Sequence, residues 1–257
     1  MGVGVTWRFV AVSEVGTSHL ASGAKCQDSC WASIHPLTEG QSLLSLFVAD
    51  GAGSAVKGGE GADLAIQAAA AFLATKIDAR EVGLSDVLAT DMVLAVRECI
   101  AQAAEKAGLT PRDYACTFLG LISSSTATLT MQIGDGGIVL DVGGGLELAI
   151  TPMSGEYANM THFVTDEEAV KRLETKVFPA MTQRAAVFTD GIQRLALNLA
   201  ANTPHVPFFV PFFEGMAKAT EEQEHQLEGL LVQFLGSAPV NERTDDDKTL
   251  VLALSMP

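Results

Sequence analysis

The chain has 257 residues, 48% of them apolar and 18% charged, a composition that can bury a full core and excludes intrinsic disorder. Sixteen Lys and Arg against 31 Asp and Glu leave a formal net charge of −15, which repels phosphodiester backbones and anionic lipid and so argues against nucleic acid and membrane surfaces as partners. The same imbalance suits a protein that gathers carboxylates around divalent cations, with most of its acids on a solvated surface.

No run approaches 18 consecutive apolar residues, and the opening MGVGVTWRFVAVSEVG lacks a basic region followed by a long apolar stretch. A cytoplasmic protein without a span or leader is therefore expected. The runs WRFVAVSEV, CQDSCWASI and SLLSLFVAD are short, rich in Val, Phe, Leu and Trp, and bounded by Gly, Ser or Pro, which predicts strands separated by turns. From Gly61 the Ala-rich ADLAIQAAAAFLATKI changes to helical spacing. A second long helix follows, with Ser85 as N-cap, Val87, Leu88, Met92, Leu94, Ala95 and Ile100 as its apolar positions, and Gly108 as its stop.

The segments CTFLGLISS, TATLTMQI, GIVLDVG and LELAITP then predict an antiparallel meander turned by Gly134, Gly136, Gly137 and Gly143 to Gly145. In the polar stretch that follows, Thr165 and Glu168 have capping-box spacing for a short helix. AAVFTDG predicts a buried strand, Leu227, Leu230, Leu231 and Phe234 mark an amphipathic helix, and TLVLALSM closes the chain as a strand. Strands interleaved with a few helices indicate α+β, and without a Pro, Gly or Ser-rich linker the expectation is one domain over residues 1–257. The patch Phe208, Phe209, Phe212 and Phe213 is expected in the core beside that helix rather than as a docking surface. Cys26, Cys30, Cys99 and Cys116 form no CxxC pair and no second ligand pair for zinc, and are expected as small buried hydrophobes.

Two apolar strands end in Asp-Gly, at Asp50-Gly51 and Asp190-Gly191. An aspartate there places a carboxylate at a sheet rim, and the following glycine allows a tight turn that leaves a carbonyl open to a ligand. Each dipeptide alone is an ordinary turn. A third acidic cluster, Asp245, Asp246 and Asp247, directly precedes the last strand, and Gln27-Asp28 lies between a turn and a strand. Hard cations such as Mg²⁺ or Mn²⁺ need several oxygens from separate segments, which these are. GAGSAVKGGEG fits neither nucleotide fingerprint, since Val56 occupies the third Gly position and Lys57 precedes its glycines.

In order, CQD, VADGAGSAVKGGEGA, ACTFLGL, MQIGDGG, VFTDGIQ and DDDKTLVLAL span Trp7 to Leu254, and this ordered set resembles the metal-dependent protein phosphatase 2C family, in its bacterial serine/threonine branch. The resemblance implies an α-β-β-α sandwich of two antiparallel sheets flanked by helices, with two Mn²⁺ or Mg²⁺ ions at one end. It implies Asp50 as the bridging aspartate, the carbonyl of Gly51 as a backbone ligand and Asp190 as a ligand of the first ion, and it brings in Asp28 from the first motif. Aligning Thr249 with the family's threonine puts Asp246 on the metal aspartate; a one-residue slip would put Asp247 there instead. The implied reaction is hydrolysis of phosphoserine or phosphothreonine in phosphoprotein substrates by water bridging the two ions. An opposing serine/threonine kinase is an implied partner.

The pattern also departs from the family. Gln27 stands where an acid is usual, Ala52 where some members have His, and no Arg lies between Arg8 and Asp28, leaving His19 and Lys25 as the local candidates to bind phosphate. Asp113 lies near an optional third-metal position and is read as a surface aspartate; Asp135 matches a structural aspartate and is left out of the metal set. These departures motivate an alternative, a non-catalytic module that binds phosphoprotein or a partner through the same pocket. A third reading keeps the chemistry on phosphotyrosine or a small phosphoester, with the segment SGEYANMTHFVTD resembling the family's flap and deciding access.

Overall fold

In the computed structural model, which describes residues 6–37, 40–151 and 161–256, the first half of the chain runs β1 (Thr6–Glu14), α1 (Thr17–Ser22), β2 (Asp28–Pro36), β3 (Ser42–Asp50), α2 (Gly58–Asp78), α3 (Asp86–Ala107), β4 (Phe118–Ser123) and β5 (Thr128–Ile133). The second half runs β6 (Gly137–Asp141), β7 (Glu147–Leu148), α4 (Ala169–Arg172), β8 (Glu174–Phe178), β9 (Arg184–Phe188), α5 (Gln193–Ala196), β10 (Leu197–Asn198), β11 (Thr203–Pro204), α6 (Val206–Lys218), α7 (Glu221–Leu235), α8 (Ala238–Asn241) and β12 (Lys248–Met256). One five-stranded antiparallel sheet has the order β1-β12-β9-β6-β7 and the other β2-β3-β4-β5-β8, with β10-β11 as a separate ribbon.

Alternation along β3 shows why four layers form. Leu44, Leu46 and Val48 face the other sheet, where they pack with Leu119, Ile138, Leu140, Val187 and Val251. Leu43, Phe47 and Ala49 point the opposite way, against Ala62, Ala65, Met92 and Val96 of the helices α2 and α3. With both faces buried, the strand reads as a continuous apolar run, as SLLSLFVAD does. The second sheet repeats the device: Val139, Phe188, Leu250 and Leu252 pack outward against Phe209, Phe213 and Leu231 of α6 and α7. Half of the Phe patch is thus core as expected, Phe209 and Phe213 being buried, while Phe208 and Phe212 are partly buried against them.

Ser85 caps α3 by accepting from Leu88 N–H at 3.4 Å, and Gly108 ends it in the left-handed region at φ 67°. The buried stripe of α3, however, is Leu88, Ala89, Met92, Val93, Val96, Ile100 and Ala104, while Val87 and Leu94 are exposed. Leu88, Met92 and Ile100 thus lie on the seam as expected, on one i, i+4 row with Val96 and Ala104, while Val87 and Leu94 fall off that row. Helix α1 was expected as a turn; it buries nothing and so shows no apolar period. Strand β8 was not expected, because Glu174-Thr-Lys-Val-Phe is a partly solvated edge strand with little alternation. Thr165 makes no cap: α4 begins after Glu168, and Asp166 instead accepts from Phe163 N–H at 2.9 Å. LELAITP shrinks to the two residues of β7, and residues 152–160, which hold most of the flap-like segment, lie outside the described residues.

Replacing Met92 with Ala should cost about 2–5 kcal/mol in urea unfolding, whereas Leu94→Ala should stay within about 0.5 kcal/mol. Equal costs would show that Leu94 shares the buried face with Met92.

Candidate metal centre

The sheets converge at one rim, where five aspartates arrive from separate strand ends. Asp28 opens β2 directly opposite Asp50 at the end of β3. Asp50 is fixed from both sides, donating its N–H to Thr117 Oγ1 at 2.9 Å and accepting at its carbonyl from Thr117 N–H at 2.8 Å. Asp190 starts a short 3-10 turn just beyond β9, Asp246 precedes β12, and Asp135 sits in the β5–β6 turn. The flanking Gly134 and Gly136 adopt φ of 101° and 104°, a backbone that ordinary side chains rarely allow. Oxygen atoms of Asp50, Asp135 and Asp190 lie within 4.8 Å of one another. Asp246 stands beside them, its negative charge acting on both Asp50 and Asp190.

Asp135 therefore joins the cluster, although the sequence suggested a structural role. Its carboxylate also accepts from Thr161 Oγ1 at 2.8 Å. A lone aspartate bracketed by glycines after an apolar strand is the signal that could have found it, since it repeats the Asp-Gly pattern of the other two sites. Asp28 plays a bracing part: its carboxylate accepts from Thr189 Oγ1 at 2.7 Å and Thr249 Oγ1 at 2.8 Å and is hydrogen-bonded to Asp50. These threonine hydroxyls went unread in the sequence because only the fold brings them together.

The two C-terminal candidates separate cleanly. Asp247 is buried and turned away from the cluster, accepting from Gly16 N–H and Gln27 N–H at 2.6 Å each and pairing with His19 Nδ1 at 2.9 Å. Asp246 is exposed, and among the described residues its carboxylate accepts only from the next residue's N–H, at 2.9 Å, while its own N–H donates to Thr244 Oγ1 at 3.3 Å. Gly191 makes this packing possible, because a Cβ there would lie 1.8 Å from the Asp247 carbonyl oxygen. Gly51 bridges to Cys116 with the pairing bonds on its neighbours, Thr117 N–H to the Asp50 carbonyl and Ala52 N–H to the Ala115 carbonyl, so its own carbonyl stands outside that pairing. Of the expected phosphate binders, His19 is engaged by Asp247 and Lys25 is exposed. Asp113 caps a 3-10 turn through Thr110.

Burial dominates the electrostatics. It raises Asp28 to about 7 against the opposing pull of the Thr189 and Thr249 hydroxyls. Asp50 is pushed up to about 10 by burial and then by the charges of Asp28 and Asp190, and Asp190 to about 6 by burial and then by Asp135 and Asp246. Crowded, half-buried carboxylates resist ionisation together. An all-oxygen donor set of this charge fits hard divalent ions such as Mn²⁺ or Mg²⁺ and offers nothing to soft metals.

Acids whose folded values lie above the unfolded ones give stability that is fully present below about pH 4 and lost as pH rises through those folded values. For Asp190 and Asp28 those are about 6 and about 7. Metal-free Asp50→Asn should therefore be more stable than the parent by about 1–2 kcal/mol at pH 8, with the gap closing towards pH 4 and Mn²⁺ restoring the parent. Thermal midpoints in chelator and in Mn²⁺ measure this; a gap independent of pH would contradict it. Asp246→Ala should weaken Mn²⁺ binding in calorimetry with an unchanged melting point. Asp247→Ala should instead destabilise the fold by about 2 kcal/mol or more, because two buried N–H groups lose their acceptor.

Comparison with known proteins gives the chain a family. The family model for protein phosphatase 2C matches residues 15–235. Serine/threonine-protein phosphatase 3 of Escherichia coli (strain K12) is 60% identical over 250 residues, 97% of this chain and 99% of that protein. Among solved structures, the catalytic domain of the serine/threonine protein phosphatase PstP in complex with two manganese ions aligns with a TM-score of 0.60 at 18% identity, over 98% of this chain and 100% of that one. The serine/threonine phosphatase Stp1 of Staphylococcus aureus aligns with a TM-score of 0.59 at 14% identity, over 100% and 98%. Those two likenesses speak to the fold. The family match and the 60% identical relative settle the descent: the chain belongs to the protein phosphatase 2C family.

Proposed function

We propose that this chain is a metal-dependent protein phosphatase that hydrolyses phosphoserine and phosphothreonine, with Asp50, Asp135, Asp190 and Asp246 and the carbonyl of Gly51 holding two Mn²⁺ or Mg²⁺ ions. The observation that carries it is the oxygen cluster of Asp50, Asp135 and Asp190 within 4.8 Å at the open rim of the sandwich. The substrate class is supported by the 60% identical relative, which is named as a serine/threonine-protein phosphatase. Bound divalent ions supply an acidified water and neutralise phosphoryl charge.

The chain's own residues set that chemistry up. Asp28 fixes the strand ends through Thr189 and Thr249, so that Asp50 and Asp190 are held at constant separation. Thr161 and the two glycines beside Asp135 orient the third carboxylate. No thiol among Cys26, Cys30 and Cys116 is ready to act as nucleophile: burial raises all three, and for Cys26 the charges of Asp28 and Asp247 add to it. On this reading water, and not one of these thiols, is the nucleophile.

The same reading takes residues 1–257 as one domain, in the cytoplasm, opposing a serine/threonine kinase. The four free cysteines suit a reducing compartment, and no helix among the described residues is long and apolar enough to cross a membrane.

Phosphate release from a phosphothreonine peptide should require added Mn²⁺ and stop in chelator. Asp50→Ala and Asp190→Ala should each lower it by about two orders of magnitude or more, since even outer partners of a metal site are worth 10- to 100-fold. Metal-loaded protein that binds the peptide without releasing phosphate would instead identify a phosphoprotein-binding module.

A further inference from the structure

Beside the aspartate cluster lies a cavity of about 230 Å³ whose walls include Asp190, Gly191 and Asp246 together with Arg194 and Arg243. Arg194 lies on α5, four residues after Asp190, and Arg243 lies three residues before Asp246, so each guanidinium is carried by the same short segment as a cluster carboxylate. Among the described residues neither side chain joins a hydrogen bond or an ion pair, although the chain carries 31 acids and three of them, Asp190, Asp245 and Asp246, share the cavity. By contrast, His19 is committed to Asp247, and neither it nor Lys25 lines this space.

We propose that Arg194 and Arg243 form the anion grip of the site, receiving the phosphoryl oxygens of the substrate and the phosphate product beside the ions held by Asp190 and Asp246. The inference rests on reading the cluster as a two-metal phosphatase centre. The physical case is one of donors and sign. A guanidinium presents its N–H groups in a planar fork that matches phosphate oxygens in pairs, and it stays charged at any working pH. Without these arginines the only charged groups the cavity would offer an incoming dianion are carboxylates. Because the donors are not spent on Asp190 or Asp246, they remain free for an oxyanion placed between the two segments. Nothing else in the cavity can donate charge, since its remaining members are Leu195, Thr244, Gly191 and acids.

Inorganic phosphate is the probe, titrated by calorimetry into the Mn²⁺-loaded full chain and used separately as an inhibitor of turnover. Arg194→Ala and Arg243→Ala should each weaken phosphate binding by about tenfold, as expected for loss of a charge-assisted, paired hydrogen bond, and the double variant by more. Mn²⁺ affinity should not fall, and the melting point should hold because both side chains are exposed. Lys106→Ala, which removes the same charge from the exposed end of α3, should leave phosphate binding unchanged. The proposal is overturned if the double variant binds phosphate within twofold of the parent, if Lys106→Ala weakens it equally, or if the Mn²⁺-loaded parent binds no phosphate. Phosphate held through the arginines in a protein without turnover would sink the proposed activity and leave the grip standing. Metal-dependent turnover with phosphate binding indifferent to both arginines would do the reverse.

Discussion

The carboxylate of Asp28 belongs to one sheet, and the two hydroxyls that hold it belong to the other. Thr189 follows β9 and Thr249 lies in β12, and both donate to the same oxygen of Asp28 at 2.7 and 2.8 Å. Thr249 N–H in turn donates to Thr189 Oγ1 at 3.1 Å, which locks the two threonines to each other. Face-to-face sheets are held mainly by apolar packing, which is non-directional and tolerates a small slide at the rim more readily than a hydrogen bond does. A directional, charge-assisted contact at the rim is sensitive to it. Everything at the metal end inherits its geometry from this tie, because Asp50 is paired with Asp28 across β2 and β3 while Asp190 and Asp246 flank the threonines on the opposite layer.

The tie works against a strong opposing force. Asp28, Asp50 and Asp190 are all raised by burial and by one another, so the rim concentrates charge that the isolated fold would rather not ionise. The apolar layers make this tolerable: Leu44, Leu46, Val48, Val187 and Val251 between the sheets do not depend on the state of the rim. Core and site are thus separated in space and in physics. Dispersion and the hydrophobic effect determine the sandwich, and electrostatics determines whether its end is closed by protons or by cations.

This separation explains what could be read from the sequence. Strands buried on both faces announce themselves as apolar runs, so β1, β3, β4, β9 and β12 were legible nearly to their ends. Elements whose stability comes from neighbours rather than from their own pattern were not: α1 buries none of its residues, and β8 is an edge strand. At the site, Asp50, Asp190 and Asp246 were legible because strand-end acids with adjacent glycines have a local signature and because their order resembles a known family. Asp135 carries the same Asp-Gly signature and was set aside as structural. Asp247 could not be told from Asp246 by spacing. Only the folded chain shows one side chain turned inward to Gly16, Gln27 and His19 and the other outward to the cluster.

A protein of net charge −15 faces a difficulty if its substrate is a phosphorylated, often acidic, chain. At physiological salt the screening length is about 8 Å, so the net charge acts mainly on approach, and within the rim the local sign decides binding. Two divalent ions are enough to reverse that sign at the carboxylates themselves. Their reach is short, however, and Asp245 stays among the groups lining the space beside them. Positive groups that do not depend on metal occupancy would extend the reversed region by the length of a side chain. Arg194 and Arg243 stand on that border with their donors unspent. An acidic protein whose rim turns positive only where metal and arginine coincide would also discriminate, favouring anions at that rim over the rest of its surface. Selectivity of this kind needs no deep cleft, which accords with a site built on the rim of two sheets rather than between domains.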